Sequence, residues 1–267
     1  MKRYLSFFRI RFVHSLQYRA AAYAGVATQV VWGLMEILMY AAFYRENADS
    51  FPMGFSQLTS YVWLQQSFFS MFAAYIFDQE ALEAIANGNI AYELARPIEL
   101  YPMWFAKNLS IRCARATLRC VPVLLLSILL PRPYGLSAPA GLPAFLLFLF
   151  TLCLAALVLT SVLMFLYILA FYTLHSGGIR MIMASMIEFL TGALIPIPFF
   201  PAGLRTVIEL SPFAAMQNLP FRVYSGDIAG MGLVKAIALQ LFWLIFLVLL
   251  GRRAMRSALR RVVVQGG

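Results

Sequence analysis

Charge is scarce in this chain. Only 12% of its 267 residues are Asp, Glu, Lys or Arg, against about 25% in an ordinary soluble domain. With 62% hydrophobic residues and a mean hydropathy of +0.80, the sequence excludes a water-soluble globule and places the protein in a bilayer. Lysine is rarer still. Lys2, Lys107 and Lys235 follow Met1, Ala106 and Val234, so no Gly-Lys pair exists and a P-loop is excluded. Histidine is confined to His14 and His175, with neither an HExxH pair nor a Cys/His ligand spacing, which excludes a zinc site of known pattern. The HSGG run at 175–178 has no partner base nearby and does not make a serine hydrolase. The three cysteines all sit in apolar runs, and their odd number argues against a disulfide framework; they read as packing residues. The chain is therefore expected to catalyse nothing alone and to bind no cofactor or metal.

What is present is grease in long runs. A hydrocarbon core of about 30 Å takes roughly 20 helical residues, and six segments reach or approach that length: 22–44, 58–77, 109–131, 142–174, 181–195 and 228–250. The expected fold is an all-α integral membrane protein of one domain, 1–267, with six transmembrane helices. The net charge of +10 lacks a globular face on which to serve a nucleic acid, so none is expected as partner; it reports topology instead. With the N-terminus inside, sixteen of the 21 Lys and Arg residues fall on the inner side. The positive-inside rule then makes both termini cytoplasmic. No cleavable signal peptide is expected, and no internal repeat is visible.

Three segments are neither span nor simple loop. In 1–20, Leu5, Phe8, Phe12 and Leu16 recur at helical spacing beside several arginines, which suits a helix lying in the headgroup plane and held by membrane lipid. Segment 196–227 is apolar yet rich in proline, so it predicts short re-entrant helices whose free backbone groups are satisfied by protein. The tail 251–267 is basic. The most distinctive segment is 78–108, where five acids, two bases and two prolines interrupt the grease. Asp78 can cap a helix, with Glu80 and Glu83 at its positive end; Asn87-Gly88 stops it; a second short helix over 90–95 must end near Arg96 because Pro97 follows. Trp104 is expected at the membrane interface. Two capped helices in so short a space predict a docking surface rather than a linker.

Ionisable residues within spans cost several kcal/mol and usually face an interior or a cavity. Glu36 and Glu188 are the acids so placed. Arg112, Arg115 and Arg119 share one helix face and are expected to reach toward headgroup phosphates, Arg119 lying roughly 10 Å deeper than Arg112. A translocation path for cationic or zwitterionic amphiphiles would use Glu36, Glu188 and Arg119 with the aromatics Trp32, Phe69 and Phe72. A proton-driven transporter working through Glu36 and Glu188 is the alternative; the absence of an inverted repeat speaks against it.

The stretch GNIAYELARPIELYPMWFAKN, from Gly88 to Asn108, is similar to the G-x-I-A-Y-x-L-x-R-P…YWFA signature of one bacterial branch of ABC-2 exporter permeases, departing from it only at Tyr-Pro-Met-Trp. The resemblance implies a multi-pass protein of the bacterial inner membrane. It implies a second, related permease and a separate ATPase that holds ATP and Mg. It also makes 78–108 a coupling loop seated in a groove of that ATPase. Glu83, Asn87, Gly88, Asn89, Ile90, Tyr92, Glu93, Arg96 and Pro97 are the residues it marks for coupling, with Asn87 to Asn89 giving shape, Tyr92 packing, and Glu93 and Arg96 polar contacts.

Overall fold

The computed structural model describes residues 2–17, 19–173 and 177–261. Among them the secondary structure is helical throughout. The helices are α1 (Lys2–Ser15), α2 (Arg19–Asn47), α3 (Phe55–Phe72), α4 (Gln79–Ala86), α5 (Ile90–Leu94) and α6 (Leu100–Leu129), followed by α7 (Leu142–Ala170), α8 (Gly177–Leu190), α9 (Ala202–Leu210), α10 (Asn218–Ser225) and α11 (Gly230–Leu259). Met1, Tyr18, residues 174–176 (with the expected end of the fourth span and the His-Ser of the HSGG run) and the tail beyond 261 lie outside the described residues.

α3 is the axis of the bundle. Fourteen of its residues are buried, and α2, α6 and α10 surround it. α10 fills the space between α3 and α7, α11 lies along α7, and α1 crosses the first turns of α6. Helices gain little from hydrophobic burial against lipid, so packing and interhelical hydrogen bonds hold such a bundle. The glutamines supply several. Gln240 on α11 donates to Thr151 O at 3.0 Å and Ala215 O at 2.8 Å, and Gln65 on α3 donates to Ala193 O at 2.6 Å.

Three stretches among the described residues combine the length and apolarity to cross a membrane: Tyr23–Ser50, Leu142–Ala170 and Gly230–Leu259. The other expected spans differ for identifiable reasons. α3 is polar along its length, with Thr59, Ser60, Gln65, Gln66, Ser67 and Ser70 all buried inside the bundle. α6 starts at Leu100 rather than at 109, because Pro102 suits a first helical turn; its first half carries Lys107, Arg112, Arg115 and Arg119. Near its far end Pro122 sits inside the helix. α8 has 14 residues, about 21 Å at 1.5 Å each, a short rod beside a hydrocarbon core of about 30 Å. α11 runs past 250 to Leu259 and absorbs much of the expected basic tail.

The proline-rich segment does form short helices, α9 and α10. After α8 the chain reverses at Gly192, φ 80°, where Tyr61 donates to Gly192 O at 3.1 Å. A Cβ on Gly192 would lie 2.6 Å from the Tyr61 hydroxyl. Gly192→Ala therefore combines left-handed strain with loss of a buried hydrogen bond. It is expected to destabilise the protein by about 2–3 kcal/mol, read as a lowered unfolding temperature in detergent.

The bundle has two unlike ends. One gathers the 3-10 turns Ala48–Ser50 and Ile197–Phe199 and loops around Trp63, whose indole donates to Tyr134 O at 2.8 Å. The other gathers α1, α4, α5, the start of α6 and the ends of α7 and α11 around a second apolar cluster of Leu100, Met103, Trp104, Tyr167 and Met255.

Candidate functional site

The helix-turn-helix of 78–99 is mounted on that second end. Asp78 caps α4, its Oδ1 accepting from Ala81 N at 3.4 Å. Asn87 closes the helix, and Gly88 takes φ 75°, a value at which a side chain would be strained. Ile90 opens α5 and is buried. α5 ends at Leu94, before Arg96 and Pro97. The expected Asp78 cap and both stops are in place, whereas α5 opens without a side-chain cap.

Its base is fastened by buried polar groups. Lys107 Nζ lies 2.7 Å from Asp78 Oδ2 and 2.7 Å from Glu80 Oε2, and only 5% of Lys107 is exposed. The Tyr167 hydroxyl accepts from Asp78 N at 2.8 Å and donates to Asn108 Oδ1 at 2.9 Å. Arg112, fully buried, donates to the carbonyls of Met71, Ala73 and Ile76 at 2.9, 3.0 and 2.7 Å. These are the carbonyls that the end of α3 and the turn after it leave without helical partners. Arg112 is thus a helix cap and does not reach toward phosphates. Trp104 is likewise core rather than interfacial. It packs against Tyr167 and Phe171 and donates to Glu93 Oε2 at 2.5 Å. Glu99 at the neck meets Arg252 at 3.3 Å and Arg256 at 3.7 Å from the end of α11.

The Lys107 hydrogen bond, then its charge, holds the Glu80 carboxyl below the usual carboxylate value. A lowered folded-state pKa contributes stability that is full above the unfolded value and lost as pH falls through the lower one. Glu80→Gln should therefore show a shallower fall in unfolding temperature below about pH 4.5. The difference should be about 1–2 °C, since Glu80 is largely exposed and screened.

The tip is the opposite of the base. Glu83, Asn87, Gly88, Asn89, Arg96 and Pro97 are exposed, and Tyr92 is 76% exposed on a helix of five residues. Glu93 turns inward to Trp104, whereas the side chains of Tyr92 and Arg96 have no hydrogen-bond or ion-pair partner among the described residues.

Of the residues expected along a path, Phe69, Glu188 and Arg119 come together around Tyr75. Glu36 on α2 accepts from Gln66 Nε2 on α3 at 3.3 Å, and its other oxygen is buried without a hydrogen-bond partner among the described residues. Phe72 packs edge-on against Phe221 in the core. Phe69 pairs with Tyr75, Glu188 is half-buried on α8, and Trp32 faces outward, 58% exposed. Arg119 lies over Gly25 of α2. On α1, Tyr4 and Phe7 pack against the protein while Leu5, Ile10 and Val13 are exposed, so the outward apolar face is not the expected stripe.

Sequence reasoning missed Lys107, Asn108, Arg112 and Tyr167 as a set. Lys107 and Asn108 close the polar stretch that Asp78 opens, and that symmetry was the available signal; Tyr167 had none, lying inside an uncharged run.

A helical membrane protein with a rigid base and a bare polar tip at one end is the class these features define. The chain belongs to the ABC-2 family: the family described as ABC-2 family transporter protein matches residues 30–266. No curated protein matches it. As a member it is the membrane component, or permease subunit, of an ABC-type transporter, and such permeases work with ATP-binding subunits.

Proposed function

We propose that this chain is one permease half of an ATP-driven exporter of the bacterial inner membrane, paired with a second, related permease and moving a hydrophobic or amphiphilic substrate. The tip at 83–97 seats in a groove of a separate ATPase that binds ATP and Mg. The observation that carries this reading is the contrast at the hairpin, an exposed Tyr92 and Arg96 on a base held by Lys107, Arg112 and Tyr167. A push on the tip then moves α3, α6 and α7 together. In this reading α2, α3, α6, α7, α8 and α11 make six passages, with both termini and the hairpin in the cytoplasm and 196–227 dipping back from the outer face. The substrate path lies between the two permeases, where the outward Trp32 face of α2 and Glu188 of α8 meet the partner; Arg119, Glu36, Phe69 and Phe72 flank it.

The test uses the copurified complex in proteoliposomes. Transport should require ATP, and Arg96→Ala should lower both transport and permease-dependent ATP hydrolysis without lowering the unfolding temperature. Glu93→Ala is a poor probe, because it also leaves the Trp104 indole unpaired. Transport that survives ATP depletion and collapses with an uncoupler would overturn the reading in favour of proton coupling through Glu36 and Glu188.

A further inference from the structure

A cavity of about 480 Å³ opens between α9, α10 and the first turns of α11, the size of a small-ligand pocket. Arg205 and Glu209 of α9, Asn218 and Arg222 of α10 and Lys235 of α11 are its polar lining. The charges sort by what they already hold. Glu209 Oε1 lies 3.1 Å from Arg205 and 3.1 Å from Arg222, and Arg222 is also paired with Asp227, outside the lining. Both acids are thereby engaged by the two arginines. Lys235 is exposed and makes no ion pair among the described residues. Asn218 is 3% exposed, and its Oδ1 is buried without a hydrogen-bond partner among the described residues. α11 begins beside them with no side-chain cap and no acid in its first turn. That turn is open at Gly232, where the nearest atom to an added Cβ would be Ile228 Cγ1 at 3.9 Å.

An ammonium without a counter-charge, next to the uncapped amides of a helix start, favours an anion. A buried amide oxygen without a donor asks the same ligand for a hydroxyl or an N–H. A cationic ligand group would meet Arg205 and Arg222, so the donor is better neutral. Phosphate bearing a hydroxylated substituent supplies both needs. Depth says where that phosphate comes from. At the far end of α11, Arg252 meets Glu99 at the neck of the hairpin. The rise from Lys235 to Arg252 is about 25 Å at 1.5 Å per residue, close to the hydrocarbon thickness of roughly 30 Å. With Arg252 in one headgroup layer, Lys235 lies at the other. Val207 and Leu210 of α9 and Met231 and Val234 of α11 are exposed apolar side chains on the same two helices, suited to acyl chains. We propose that the cavity binds the headgroup of an anionic glycerol phospholipid. Its phosphate lies against Lys235 and the start of α11, and its headgroup hydroxyl donates to Asn218 Oδ1. The lipid braces α9 and α10 against α11. The site is independent of the hairpin and of any ATPase seated there.

The experiment takes the full chain, with the subunits that copurify with it, into nanodiscs of phosphatidylglycerol, of phosphatidylmethanol (the same charge without the hydroxyl) or of phosphatidylcholine. Retained lipids are counted by native mass spectrometry. The wild type should hold one more phosphatidylglycerol than Lys235→Gln, which should bind that lipid about tenfold more weakly, the worth of one charge-assisted contact. Arg45→Gln, the same charge change at an exposed position at the end of α2, should behave as the wild type. Because Lys235 is exposed, its variant should keep the wild-type unfolding temperature in phosphatidylcholine, which separates loss of the lipid from misfolding. The wild type should prefer phosphatidylglycerol over phosphatidylmethanol severalfold, and Asn218→Leu should show no such preference. If Asn218→Leu fails to fold, the two lipids compared on the wild type carry that arm alone, and parity between them overturns the hydroxyl contact. Equal phosphatidylglycerol retention by wild type and Lys235→Gln overturns the proposal. So does inorganic phosphate that raises the unfolding temperature as far as phosphatidylglycerol does with no lipid retained, since the ligand would then be a soluble phosphate.

Discussion

Lys107→Met should destabilise the chain by about 3–5 kcal/mol, the usual effect of removing one partner from a buried charge pair. Asp78 is 7% exposed and would be left as a buried carboxylate without its cation, while Glu80 reaches water and would suffer less. In a chain of this size the shift in unfolding temperature is about 10 °C or more, measurable in detergent by intrinsic fluorescence. Adding Asp78→Asn to the Lys107→Met variant removes the stranded charge and should recover much of the loss, since asparagine caps a helix about as well as aspartate. A Lys107→Met variant as stable as the wild type would show that the triad does not hold the base of the hairpin.

Tyr92→Ala should act in the opposite way. The side chain is 76% exposed and touches little of its own chain, so stability should change by less than about 0.5 kcal/mol. A tyrosine buried at the centre of an interface is worth about 2 kcal/mol or more, and a 2 kcal/mol loss is roughly a thirtyfold weakening. ATPase retention on the purified permease and transport in proteoliposomes should fall accordingly while unfolding stays put. Transport at the wild-type rate would remove Tyr92, and the tip with it, from the proposed contact.

Local signals were read correctly where the physics is local. The Asp78 cap, the Asn87-Gly88 stop and the break at Pro97 each need only neighbouring residues, and the helices end where they demand. The proline-rich segment, too, announced its short helices. Span boundaries were less legible, because hydropathy sees the side chain and not its neighbours. α3 is polar yet buried, since Thr59, Ser60 and Ser67 return their hydroxyls to the preceding turn and Gln65 finds a carbonyl across the bundle. Arg112 looked like a cation bound for lipid phosphates, since nothing in its own helix reveals three stranded carbonyls some forty residues earlier. Trp104 was misplaced for the same reason, its partners being Tyr167 and Phe171 far along the chain.

The proline inside α6 gives that helix a joint. Pro122 offers no N–H to the carbonyl one turn back and crowds it, so the rod that begins at the neck of the hairpin is stiff for its first five turns and pliant above them. On the proposed coupling, a push delivered at Leu100 would swing the lower shaft as one piece and bend the helix near residues 118–122, like a wrist.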